Sequence, residues 1–200
     1  MGFTASVTLE SRMPEAEKVD FSRLYSPIHP DDHVQGPADA PYTLVEYGDY
    51  QCPGCGRLFI VLRDLQLELA NLLRIAYRHY PFSGIHPQAQ LAAEAAEAAG
   101  AQNRFWEMHH VLFENQDRLA PKDLNRYAEQ IGLDIQRFRD ELKSRYHRSL
   151  VNEHFRRGVQ NGVYGTPGLF VNAIRYAGTL DLDTLRARII NSEKGNLSSG

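Results

Sequence analysis

Thr43-Leu44-Val45-Glu46-Tyr47-Gly48-Asp49-Tyr50-Gln51-Cys52-Pro53-Gly54-Cys55 holds both cysteines of this 200-residue chain, at the end of a strand-like run. The β-branched and aromatic residues of 43–47 suit a pleated, buried strand. Beyond the cysteines, Leu58, Phe59, Val61, Leu62, Leu65 and Leu69 recur at helical spacing. Residues 73–80 form the next strand, stopped by Pro81, which has no N–H to continue a ladder. Strand, CxxC, helix, strand: the spacing predicts a βαβ unit with the cysteine pair at its first turn.

Working outward, residues 33–36 add a short edge strand ahead of Pro37 and Pro41. From Pro87 to Gly162 the pattern is helical. An alanine- and glutamate-rich run over 88–99 takes Gly100 as its C′ residue, and an aromatic-faced helix covers 104–113. Pro121 starts the next helix and Gly132 stops it; Asp134 caps another, and a further one runs over 149–159. Residues 168–172 and 174–177 read as a hairpin turning at Asn172-Ala173, and Asp181 caps a last helix through Leu185, Ile189 and Ile190. The expected class is α/β: a thioredoxin fold with a helical insertion, at 85–162, between its βαβ and ββα halves. Residues 1–31 are expected as an irregular lead, 32–191 as one domain and 192–200 as a polar tail.

Hydrophobic residues make up 42% and charged residues 24%, which suits a packed core rather than disorder. Net charge is −3 and the basic residues are dispersed, so no nucleic-acid partner is expected. No apolar run approaches the roughly 18 residues of a membrane span. MGFTASVTLESRMPEAEKVD lacks the charged start and apolar core of a signal peptide. The chain is therefore expected in the cytoplasm, or outside it if the sequence is a truncated piece.

The cysteines admit three readings. A zinc site needs four ligands, CxxC supplies two, and His79 and His86 fit no common finger spacing. A disulfide closing so short a loop restricts the unfolded chain little, which disfavours a structural staple. Redox chemistry is the expected use. Pro53 suits a first helical position, which makes Cys52 the N-cap and Cys55 the third residue, on one side of the turn. Exposed N–H groups and the helix dipole there favour a Cys52 thiolate. The dipole is worth about 0.3–2 kcal/mol, roughly a thirtyfold gain in acidity at most. Any larger effect must come from hydrogen bonds to the sulfur, chiefly from backbone N–H groups and the Cys55 thiol. Gly54 has no side chain to add.

VEYGDYQCPGCG (45–56), HPQAQLAAEAAEAAGAQNRFWEMHHVLF (86–113) and GTPGLFVN (165–172) together resemble the DsbA-like branch of the thioredoxin superfamily. The nearest resemblance is to bacterial DsbA-like domains, including those fused to NhaA-type antiporters, and it covers 32–191. It implies dithiol–disulfide exchange without a cofactor or metal, on protein or peptide thiols and disulfides, with glutathione as a small-molecule alternative. By resemblance Cys52 attacks and Cys55 resolves, Thr166-Pro167 is the cis-proline loop facing them, and Glu46 matches the family's buried acid. Pro53, Gly54, Thr166 and Pro167 are the expected substrate-contacting residues. The dipeptide Pro53-Gly54 departs from the Pro-His of the best-known DsbA enzymes, and a redox potential below theirs is expected.

Bland readings stand beside several of these. Glu46 is a solvated edge-strand acid if its strand is not central, and a buried carboxylate taking the Cys55 proton if it is. Phe105, Trp106, Met108 and Phe113 are expected as core rather than groove. Glu107-x-x-His110 lacks a partner motif, so a solvated or capping histidine is expected there, and Asp31-Asp32-His33 is expected as loop. Two other functions remain open: a non-catalytic binding or regulatory domain, and a glutaredoxin-type glutathione-dependent reductase.

Overall fold

The computed structural model describes residues 21–25 and 28–192. Most of the expected lead and the tail from 193 lie outside the described residues. Five strands form one sheet: β1 (His33–Gln35), β2 (Tyr42–Gly48), β3 (Leu73–His79), β4 (Gly168–Val171) and β5 (Ile174–Tyr176), in the order β1-β3-β2-β4-β5. β2 lies parallel to β3, as a βαβ unit requires, and antiparallel to β4. Between β2 and β3 runs α1 (Pro53–Leu69). The insertion holds α2 (Ala89–Gly100), α3 (Phe105–Glu114), α4 (Pro121–Gln130), α5 (Ile135–Ser144) and α6 (Arg148–Gln160), and α7 (Leu182–Asn191) closes the fold.

β2 is the middle strand, and its alternation sorts the core. Leu44 packs with Leu58, Leu62 and Leu65 of α1 and with Leu185 and Ile189 of α7. Val45 and Tyr47 pack on the other face with Ala76, Tyr80 and Phe170. Because side chains alternate along a strand, Glu46 shares the Leu44 face, under α1. The solvated edge-strand reading of Glu46 fails for that reason; the residue is 2% exposed.

Local signals performed as their chemistry demands. Asp134 and Asp181 accept the Arg137 and Thr184 N–H groups at 3.0 and 2.9 Å, and Gly132 takes a φ of 75° beyond α4. Asn172 and Ala173 both adopt positive φ in the β4–β5 turn. Gly100 is different from its expected role. It is the last residue of α2, not a C′ residue, and a β-carbon there would stand 2.8 Å from the His33 ring.

That approach belongs to a clasp hidden in the expected loop Asp31-Asp32-His33. Asp32 takes a bidentate pair from Arg78 (2.6 and 2.8 Å), and Asp31 takes one from Arg157 (2.7 and 2.9 Å). The His33 ring stacks on Phe105 with 3.5 Å between centroids. Its Nε2 pairs with Glu97 at 2.9 Å, while His79 holds the other Glu97 oxygen at 2.8 Å. Asp31 and Asp32, together with His33, which is the first residue of β1 and not loop, are thus pinned to β3, α2, α3 and α6. Sequence pattern shows three polar residues; only the fold supplies the partners that make their burial tolerable.

Candidate active site

β2 ends at Gly48, and the loop Asp49–Gln51 turns the chain back so that α1 starts over the end of the sheet. Cys52 is the N-cap, Pro53 the first helical residue and Cys55 the third, as the spacing required. Cys52 is 8% exposed and Cys55 0%, so the first sulfur lies nearer the surface. The Thr166–Pro167 bond is cis, and the Thr166 carbonyl accepts the Cys52 thiol at 3.4 Å. Gly54 lies against the same loop: a β-carbon there would sit 3.1 Å from Pro167 Cδ. Cys52, Pro53, Gly54, Cys55, Thr166 and Pro167 therefore meet at one spot.

The two sulfurs differ sharply in acidity. The Cys55 thiol hydrogen bond is the largest influence on Cys52; burial opposes it, and the Thr166 side chain and the Cys55 and Gly54 backbone N–H groups add to it, bringing Cys52 down to about 5. This matches the argument that hydrogen bonds must exceed the dipole. Cys55 is pushed well above the usual thiol range, by burial first, then by its bond to Cys52 and the charge of Glu46. Glu46 lies behind the pair. Burial and the Cys52 charge raise it to about 8, and its Oε1 has no hydrogen-bond partner.

Four supporting residues were not singled out from sequence. Asp49, 2% exposed, accepts the Gln51 N–H (2.7 Å), the Phe82 N–H (2.8 Å) and His86 Nδ1 (2.8 Å) through its carboxylate. Its own N–H donates to Cys55 Sγ at 3.5 Å. Gln116, beyond α3, donates from Nε2 to the Tyr50 and Cys52 carbonyls at 2.9 and 2.8 Å. Gln116 also covers Gly56, where a β-carbon would stand 2.0 Å from its Oε1. Tyr50 pairs with His109 Nδ1 at 3.1 Å, and burial holds that imidazole neutral. Asp49 and Tyr50 lie within the cysteine stretch itself, a signal that was readable; Gln116 and His109 are remote in sequence and carried none. Phe105, Met108 and Phe113 are core, while Trp106 is half-buried.

Away from this site, His79, Glu97 and His154 hold three metal-ligating atoms within 4.8 Å of one another. Both Glu97 oxygens are taken by histidines, and His154 Nδ1 accepts the His79 N–H at 3.3 Å, so these donors already serve the clasp. No helix among the described residues is long and apolar enough to cross a membrane.

Comparison with known proteins gives this geometry a family. The chain is 44% identical over 173 residues to the Na(+)/H(+) antiporter NhaA 1 of Salinispora arenicola, covering 86% of this chain and 26% of that protein. It is 43% identical over 170 residues to the NhaA 3 antiporter of Salinispora tropica, again with 26% of the relative covered. The chain thus spans about a quarter of the length of these relatives. Among solved structures it resembles oxidised BdbD from Bacillus subtilis, with a TM-score of 0.74, 25% identity, and 81% of this chain and 92% of that one covered. The thiol-disulfide exchange protein α-DsbA2 from Wolbachia pipientis shares the fold, with a TM-score of 0.69, 21% identity, and coverages of 79% and 85%. The DsbA-like resemblance read from the sequence therefore stands. With the family model for thioredoxin matched over residues 29–191, the chain belongs to the thioredoxin family.

Proposed function

We propose that the chain is a thiol–disulfide oxidoreductase of DsbA-like type, acting through Cys52 and Cys55 on protein or peptide thiols and disulfides. One observation carries the reading: a sulfur at the helix N-terminus, held acidic by hydrogen bonds, faces the Thr166 carbonyl, with a shielded sulfur and a buried carboxyl whose Oε1 has no partner behind it.

In the reductive direction the Cys52 thiolate attacks one sulfur of a substrate disulfide. A Cys52–substrate mixed disulfide forms, and the other substrate sulfur leaves as a thiolate that takes a proton from water. Attack removes the negative charge that helps hold Glu46 protonated, so Glu46 ionises more readily when a base is needed. Cys55 gives its proton to the Glu46 carboxylate, and its thiolate attacks the Cys52 sulfur. The second substrate thiolate leaves, and the dithiol ends as a disulfide, two electrons poorer. Oxidation of a substrate dithiol runs the same steps backwards. Thr166 and Pro167 offer the backbone edge on which an extended peptide pairs, with Pro53 and Gly54 bordering it.

Reduction of insulin with dithiothreitol or glutathione as the electron source tests the reading. Turnover by the wild type, lost in Cys52→Ser, is expected. A folded, reducible wild type that turns over nothing would make the domain a binding module, and absolute dependence on glutathione would make it glutaredoxin-like.

A further inference from the structure

Behind the cysteines lies a cavity of about 180 Å³ that the redox chemistry above does not use. Phe59 and Leu62 of α1, Ile75 of β3 and Trp106 of α3 give it apolar walls. Glu46 and Tyr77, both buried, also line it, and their Oε1 and Oη atoms have no hydrogen-bond partner. Arg63 and the 77%-exposed Leu67 border it toward solvent. A cavity of roughly 150 Å³ with purely apolar walls takes up benzene. This one is slightly larger, also has Gln35, Gln66, His109 and His110 in its lining, and adds a buried acid whose Oε1 has no hydrogen-bond partner.

We propose that the cavity binds a small organic cation, a single-ring or branched apolar body carrying a primary ammonium, with the ammonium seated on the Glu46 carboxylate. Shape and chemistry both select it. A hydrocarbon fills the walls but leaves the Glu46 oxygen unpaired, and an anion meets a buried carboxylate. An ammonium supplies the missing donor, and the Trp106 and Phe59 rings suit a cation's approach. The groups facing Glu46 offer no competing cation. Cys52 and Cys55 from α1 are thiols or thiolate, Tyr77 and Tyr50 are phenols, and burial keeps His109 of α3 neutral. His110 is likewise lowered by burial. Arg63 at the mouth has Asp64 beside it at 3.6 Å.

Binding would be linked to pH. The ion pair needs ionised Glu46, whose pKa is about 8, so affinity rises with pH while the amine remains charged. Binding does not depend on the proposed function, but its consequence rests on that reading. A carboxylate held by an ammonium is a weaker base toward Cys55, so an occupant slows resolution.

Trp106 is the only tryptophan in the chain and lines the cavity, so its fluorescence reads occupancy directly. Benzylamine and toluene, the same ring with and without an ammonium, are titrated at about pH 6 and about pH 8.5. Saturable binding of both is expected, with benzylamine roughly 50- to 100-fold tighter at the higher pH, as the ionised fraction of Glu46 dictates, and toluene indifferent. Glu46→Gln should abolish benzylamine's pH dependence while still binding toluene, which also shows that the variant is folded. Benzylamine no tighter than toluene at the higher pH, an unchanged benzylamine affinity in Glu46→Gln, or no saturable signal from either probe would overturn the site. Insulin reduction with saturating benzylamine should slow; undiminished turnover would refute the coupling to resolution. A wild type inactive without any probe refutes the proposed function instead, and the fluorescence arms still decide the binding.

Discussion

Glu46 and Glu97 are both glutamates at 2–3% exposure, and they behave as opposites. Burial raises both. At Glu97 the hydrogen bonds and charges of His33 and His79 overcome it and pull the carboxyl below its usual range. At Glu46 nothing answers, the Cys52 charge adds to burial, and the acid rises to about 8. Partners, not depth, decide whether a buried acid is a fixed charge or a mobile proton. Glu97 ties the helical insertion to the sheet. Glu46 Oε1 has no such tie, which is what the proposed proton exchange with Cys55 requires.

The largest expected effect comes from breaking the satisfied member. Glu97→Gln removes the anion between two imidazoles and should cost about 3–5 kcal/mol, read as a shifted denaturation midpoint. The corresponding Glu46→Gln breaks no hydrogen bond and, at about pH 4 or below, where Glu46 is protonated folded and unfolded, should change stability by less than about 1 kcal/mol; toward neutral pH it should stabilise, because it removes the cost of holding a proton on Glu46. Equal destabilisation by the two substitutions would erase the contrast.

Kinetics should reverse the ranking. Glu46→Gln is expected to slow resolution by Cys55 by about 100-fold, the lower end for general-base assistance, while the first attack by Cys52 stays nearly intact. Rapid-quench trapping of the mixed disulfide measures both steps. Resolution at the wild-type rate would remove Glu46 from proton transfer.

A pH series sharpens the contrast further. Cys52 is depressed from 9.0 to about 5, so the unfolded reduced chain binds more protons between those values and Cys52 makes stability rise with pH. Glu46 is raised from 4.5 to about 8, so the folded chain binds more and Glu46 makes stability fall across that window. Between about 5 and about 8 the two slopes oppose each other. Urea unfolding of the reduced wild type should therefore show little contribution from the pair there. Glu46→Gln should gain a positive slope of up to about 1.4 kcal/mol per pH unit. A slope unchanged by the substitution would mean that Glu46 does not titrate as described.

Alkylation and redox titration carry smaller effects. Just below neutral pH, iodoacetamide should label Cys52 before Cys55. Cys52 at about 5 falls between the about 3.5 of DsbA and about 7 of thioredoxin. Glutathione equilibration should accordingly place the potential between about −270 and −120 mV, below DsbA, because Gly54 adds no side chain to hold the thiolate. Gln116→Met, which keeps the bulk but loses the donor to the Cys52 carbonyl, should cost about 1 kcal/mol and move the Cys52 alkylation profile slightly. An unmoved profile would make Gln116 a purely structural prop.

The sequence by itself determined the βαβ unit, the hairpin, the caps at Asp134 and Asp181, and the placement of Cys52 and Cys55 on one helical turn. These are local consequences of period, proline and capping chemistry, which act over a few residues. The spacing of Pro53 and the cysteines even dictated which sulfur would be acidic. Whether Glu46 was a surface acid or a buried one was not legible, because that depended on β2 lying between β3 and β4. The clasp of Asp31, Asp32 and His33 was missed for the same reason, since Arg157 and Glu97 reach it only after the insertion folds back, and Arg78 only when β3 pairs with β1. Gln116 and His109 approach the cysteines from more than fifty residues away. Only the tertiary structure decided these ionisation states, because a carboxylate's proton affinity follows its surroundings, and chain-distant elements supply most of them.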